Sequence, residues 1–148
     1  MRNRAFLAAA MSLLWLSGCG GGGNKSVEGL RTESHKAYSF EVDADCQTVY
    51  GRIFLRARQR YVYPGMSIRQ PGVSAELSPD NRSGTITLWD SGGIGFRYRL
   101  IAEIQTIEPA RVRIDLFTAT KRDRGEARLW AGWADTAIET PAAPENKK

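Results

Sequence analysis

The sequence predicts a single α+β domain: an antiparallel sheet of about five strands with two helices on one face, in the order β-α-β-β-β-β-α. Five stretches alternate apolar and polar residues with the period of a half-buried strand. Two others gather their apolar residues on one helical arc. All seven fall within residues 37–139 of the 148-residue chain, a span that supports one core and hardly two.

The first strand is marked by Tyr38, Phe40 and Val42 alternating with Ser39, Glu41 and Asp43. Asp45 then stands where a helix N-cap is needed, before a helix over about 46–60. On that helix Cys46, Val49, Tyr50, Ile53, Phe54, Ala57 and Tyr61 share one arc, while Gln47, Arg52, Arg56, Arg58 and Gln59 lie outside it. Leu55 is the large apolar residue off the arc. Residues 61–72 read as an irregular connection, because Pro64-Gly65 and Pro71-Gly72 interrupt both helix and ladder. Its Tyr61, Tyr63, Met66 and Ile68 suit either the closing of one end of the core or a rim for a ligand or partner.

Four strands follow. Val73, Ala75 and Leu77 alternate inward before a turn at Pro79-Asp80-Asn81-Arg82-Ser83-Gly84. Ile86 and Leu88 continue the inner face up to a turn at Asp90-Ser91-Gly92-Gly93. Phe96, Tyr98, Leu100, Ala102 and Ile104 form the longest alternation, with Arg97, Arg99, Glu103 and Gln105 on the other side. Val112, Ile114 and Leu116 alternate with Arg111, Arg113 and Asp115. A five-residue loop around Glu108-Pro109 sets both inner rows on one face and places Glu103 opposite Arg113. The last helix, over about 124–139, carries Ala127, Trp130, Ala131, Trp133, Ala134, Ala137 and Ile138 on one arc. Residues 140–148, with Pro141, Pro144 and Lys147-Lys148, read as a disordered tail.

The N-terminus follows a different plan. Arg2 and Arg4 precede an uncharged run from Ala5 to Leu16, the basic and apolar regions of a secretory signal peptide. That run of 12 residues is well short of the roughly 20 that cross a bilayer. It ends in Leu16-Ser17-Gly18-Cys19, which resembles the lipobox of bacterial lipoproteins. The resemblance implies that residues 1–18 are removed, that the Cys19 thiol receives a diacylglyceryl group, and that the new amine is acylated. Several chains on one residue anchor stably, since each buried methylene contributes about 0.8 kcal/mol. In that class an Asp after the lipidated Cys favours retention in the inner membrane. Gly20 stands there instead, so the resemblance implies a cell-envelope protein on the outer membrane, facing the periplasm. Residues 19–36, with four glycines in a row and only Val27 and Leu30 apolar, read as the lipidated Cys and a flexible tether of about 20 Å mean reach.

The element order over residues 37–139 also resembles the TBP-like and helix-grip domains, which occur in lipid-binding START-type proteins and in a lipoprotein subunit of outer-membrane β-barrel assembly. This resemblance implies either a non-catalytic module that docks on an envelope protein partner, or a binder of a lipid or other apolar ligand between the sheet and the C-terminal helix.

Composition narrows the chemistry. Loss of Arg2 and Arg4 lowers the formal charge from +5 to +3, and a small positive charge on an exported chain gives no ground for a nucleic-acid partner. His35 is the one histidine and lies in the expected tether, which removes histidine-based triads and His-rich metal sites. Gly92-Gly93-Ile94-Gly95 precedes a strand rather than a helix and so fails as a phosphate loop. No catalytic residue, metal or cofactor is expected. With Cys19 acylated, Cys46 has no intrachain partner and reads as a small core residue. The candidate contacts are Arg97, Arg99, Arg111 and Arg113, either an anion or partner site or the wetted side of the sheet. Trp130 and Trp133 are either core or the wall of an apolar ligand site.

Overall fold

A computed structural model describes residues 26–33, 35–62, 70–92 and 95–136. The expected signal peptide, Cys19, the four glycines, residues 63–69 and the expected tail lie outside the described residues. The chain runs α1 (Val27–Glu33), β1 (His35–Val42), α2 (Cys46–Tyr61), β2 (Gln70–Leu77), β3 (Ser83–Ser91), β4 (Phe96–Glu108), β5 (Arg111–Thr118), a 3-10 turn (Lys121–Asp123) and α3 (Arg124–Asp135). The sheet has the order β1-β5-β4-β3-β2 and every neighbouring pair is antiparallel. The α+β class and the five-stranded sheet are those the sequence predicts.

The inner rows align across the sheet: Phe40 faces Ile114, Ile114 faces Ile104, and Ala102 faces Ile86. Directly opposed residues share a face, so these rows form one apolar surface. Against it α2 contributes Cys46, Val49, Ile53, Ala57 and Tyr61, and α3 contributes Ala127, Trp130 and Ala134. The two helices lie antiparallel, Tyr61 beside Glu126 and Arg52 beside Ala134. Their ends are charged to suit. The Asp45 carboxylate accepts from the Thr48 N–H at 2.9 Å, capping α2. Arg52 and Arg56 of α2 donate to the carbonyls of Ala134 and Trp133, where α3 has no further backbone donors.

The N-terminal boundary differs from expectation. Val27–Glu33, read as tether, is a helix lying against β4 and β5 on the sheet face opposite α2 and α3. Its Leu30 is fully buried, and Arg31 bonds Glu103. His35, also placed in the tether, opens β1. A seven-residue helix is too short to hold itself together in water, so packing against the sheet supports it.

Three further boundaries move. β2 begins at Gln70, so Pro71 and Gly72 are ladder residues and not loop; Pro71 is tolerated because β2 is an edge strand. β3 continues through Asp90 and Ser91, which pair with Arg97 and Phe96 instead of turning. β4 extends to Glu108, leaving a two-residue turn with a bulge at Ile107, so Glu103 faces Asp115 rather than Arg113. This register differs by two from the expected one, which preserves the inner row and changes the partners on the other side.

Candidate functional site

One irregularity rearranges the predicted site residues. Leu88 pairs with Leu100 while Trp89 pairs with Tyr98, so Arg99 is an extra residue in β4. Beyond this bulge the alternation inverts. Tyr98 and Phe96, expected in the core, take the side of Trp89, opposite Leu88 and the core. Arg97 pairs with Asp90 and takes the helix side.

The four arginines therefore form no common patch. Arg99 donates from Nε and Nη2 to Asp123 Oδ1 at 2.9 Å, just before α3, and its Nη1 lies 3.6 Å from Asp90. Burial pulls the Arg99 guanidinium down, but bonding to Asp123 and the charges of Asp123 and Asp90 outweigh it and its pKa is raised. Arg111 and Arg113 stand near the other end of the β4–β5 hairpin on the α1 side. Arg111 reaches Asp43 at 2.9 Å and Glu108 at 3.6 Å, and Arg113 reaches Ser39 at 3.3 Å and Asp115 at 3.6 Å. Their pairing is that of a wetted sheet surface.

Trp130 belongs to the core and Trp133, partly buried, packs against it. Trp130 is fully buried, its Nε1 donates to the Tyr61 hydroxyl at 3.4 Å, and it stacks on Trp133 at 6.3 Å between ring centroids. The Tyr61 hydroxyl in turn donates to Glu126, and Arg60 lies 3.6 Å from the same carboxylate. Its pKa is pushed up to about 12, first by burial and then by the Glu126 bond. Cys46 is buried and unpaired to sulfur, and burial pushes its thiol up, away from a reactive thiolate. Among the described residues no three His, Cys, Asp or Glu side chains stand close enough to hold a metal ion, and no helix is long and apolar enough to cross a membrane.

What the sequence missed is an open cleft on the α1 side of the sheet. It has a volume of about 400 Å³ and lies between Val27 and Arg31 of α1, Ser74 and Glu76 of β2, Thr85 and Thr87 of β3, and Tyr98 of β4. Beside it Trp89 and Phe96 meet edge to face at 5.0 Å, and Phe96 remains 59% exposed. The Trp89 ring lies across Gly72, where a Cβ would come within 2.1 Å of it, and its Nε1 donates to Ser74 Oγ at 2.8 Å. Gly72 is thus the residue that lets an indole lie flat on the sheet. The edge strand β2 flanks this cleft, with one side of its backbone outside the ladder. The available signal was Ile101, an apolar residue in the polar row of β4, which is fully buried on the α1 side.

Compared with known protein families, curated proteins and solved structures, the chain matches none.

Proposed function

We propose that this chain is a lipid-anchored cell-envelope lipoprotein whose domain is a non-catalytic docking module, held to the outer membrane through Cys19 and facing the periplasm. The anchor rests on the signal peptide and Leu16-Ser17-Gly18-Cys19. Docking rests on one observation: the cleft lined by Tyr98, with Trp89 and Phe96 beside it, next to the edge of β2 that no described residue pairs. An extended segment of a partner protein laid along β2 gains backbone hydrogen bonds, while alternate side chains enter the cleft against Tyr98 and beside Trp89 and Phe96. Polar Ser74, Thr85 and Thr87 supply donors and acceptors without the basicity a nucleic acid would need.

The test places a photo-activatable residue at Thr85, in the cleft, and at Gln59, exposed on α2, in intact envelopes of the source organism. A discrete adduct from Thr85 and none from Gln59 is expected; monomer alone, or the same adducts from both, overturns the docking reading. The anchor is tested separately. Cys19→Ala should abolish acyl labelling and leave the unprocessed precursor, and labelling that persists removes the anchor.

A further inference from the structure

A second cleft, of about 490 Å³, opens at the end of the sheet between β3, β4 and the turn before α3. We infer that it is a binding site for a phosphate monoester group. Its walls bring together Arg97, Arg99, Lys121 and Arg122 with Asp90 and Asp123. Four cations against two carboxylates leave a formal charge of +2. A phosphate monoester near pH 7 carries about −1.5 to −2, which is the complementary charge.

The six groups are not equivalent. Asp123, 4% exposed, accepts from Arg99 at 2.9 Å on one oxygen and from the Thr120 hydroxyl at 2.6 Å on the other. Asp90 lies 3.6 Å from the same guanidinium. Arg99 therefore holds both carboxylates and fixes the back of the cleft. The side chains of Arg97, Lys121 and Arg122 form no hydrogen bond or ion pair with the described residues. Three cations with no partner among the described residues thus line a concavity large enough for one small anion. Two of them are arginines, whose planar forks match pairs of phosphate oxygens. The bulge at Arg99 is what turns Arg97 to this side. This site lies on the helix side of the sheet and stands whether or not the docking cleft is used.

The phosphate could be free or carried on a lipid headgroup, and one experiment distinguishes the two. The full chain is reconstituted in phosphatidylcholine bilayers, with and without phosphatidic acid, and titrated calorimetrically with inorganic phosphate. Saturable binding is expected in phosphatidylcholine. If phosphatidic acid competes and weakens it, headgroups reach the cleft; if it does not, the ligand is a soluble phosphate. The combined variant Arg97→Ala, Lys121→Ala, Arg122→Ala should bind at least about tenfold more weakly, as expected on losing charge-assisted hydrogen bonds. Removing three charges elsewhere, with Arg58→Ala, Arg82→Ala and Arg128→Ala, should leave binding nearly unchanged. The single Arg122→Glu should weaken binding as strongly as the triple variant and serves if that variant does not fold. No saturable phosphate binding, or equal weakening by the cleft and distant variants, overturns the site.

Discussion

On the helix side of the sheet, α2 and α3 seal a continuous apolar layer that runs from Val42 and Phe40 of β1 to Ala75 of β2. On the other side α1 brings one fully buried leucine, Leu30, onto β4 and β5, and leaves the β2–β3 part open. The first face carries the stability and is filled by the chain itself. Among the described residues the second is only half covered, and its uncovered half has the aromatic residues and the unpaired strand edge that suit a partner. Burial on both faces of an antiparallel sheet is optional, since one face can be wet. Here the two arrangements sit side by side on a single surface.

Substitutions can break or sharpen this contrast, beginning with the largest effect. Trp130→Ala opens the sealed layer and should cost about 3–5 kcal/mol in urea unfolding; a loss as small as that of a surface residue would mean the two faces are not different. Leu30→Ala should cost about 2 kcal/mol, at the low end for a buried leucine, because a short helix can shift to close the gap. Its signature is local, with the amides of residues 27–33 exchanging hydrogen before the sheet opens. Simultaneous exchange of both would show that α1 is as integral as α2.

Tyr61→Phe should cost about 1 kcal/mol, since Trp130 and Glu126 each lose a partner while the ring remains. It should also change the response to base. With the folded pKa pushed up to about 12, the stability that the neutral phenol contributes is complete below the unfolded value near 10 and is lost as pH climbs towards about 12. Melting curves of Tyr61→Phe should show a flatter decline over that interval. Asp45→Ala should likewise cost about 1 kcal/mol through loss of the α2 cap. The Asp45 carboxyl is held below its ordinary range by the Thr48 hydroxyl and then the Thr48 N–H. Its contribution is therefore present above the unfolded value near 3.9 and is lost as pH falls through the lower folded value; Asp45→Asn should keep the cap and remove that acid sensitivity. The smallest effect, below about 1 kcal/mol and reduced by salt, is expected for Glu103→Gln, which breaks a half-exposed pair with Arg31.

The sealed face was legible in the sequence and the open one was not, for physical reasons visible in particular residues. Strand alternation and the α2 arc name Phe40, Val49, Ile53, Ile86, Ala102, Ile114 and Leu116 correctly, because long periodic segments determine which side is apolar. Phe96 and Tyr98 were misplaced because a bulge adds one residue without any mark in the hydrophobic pattern, and everything beyond it changes side. α1 escaped because two apolar residues among seven resemble a linker, and a tertiary contact, not propensity, supports it. The basic cleft was half visible: Arg97 and Arg99 were singled out, whereas Lys121 and Arg122 come from a connection more than 20 residues away in the chain and join them only through the fold.

The short helix also governs how far the α1 side can stand from the membrane if Cys19 is acylated as proposed. With Ser26 already seated beside α1, six residues separate the anchor from the folded chain, and the seven steps from Cys19 to Ser26, at 3.3–3.6 Å each, reach no further than about 25 Å. A leash of that length, attached near the cleft rather than at the sheet edge, would hold the α1 side within about 25 Å of the membrane surface. The cleft lined by Val27 and Arg31 would then lie close to the bilayer, within reach of partners that are themselves bound to the membrane.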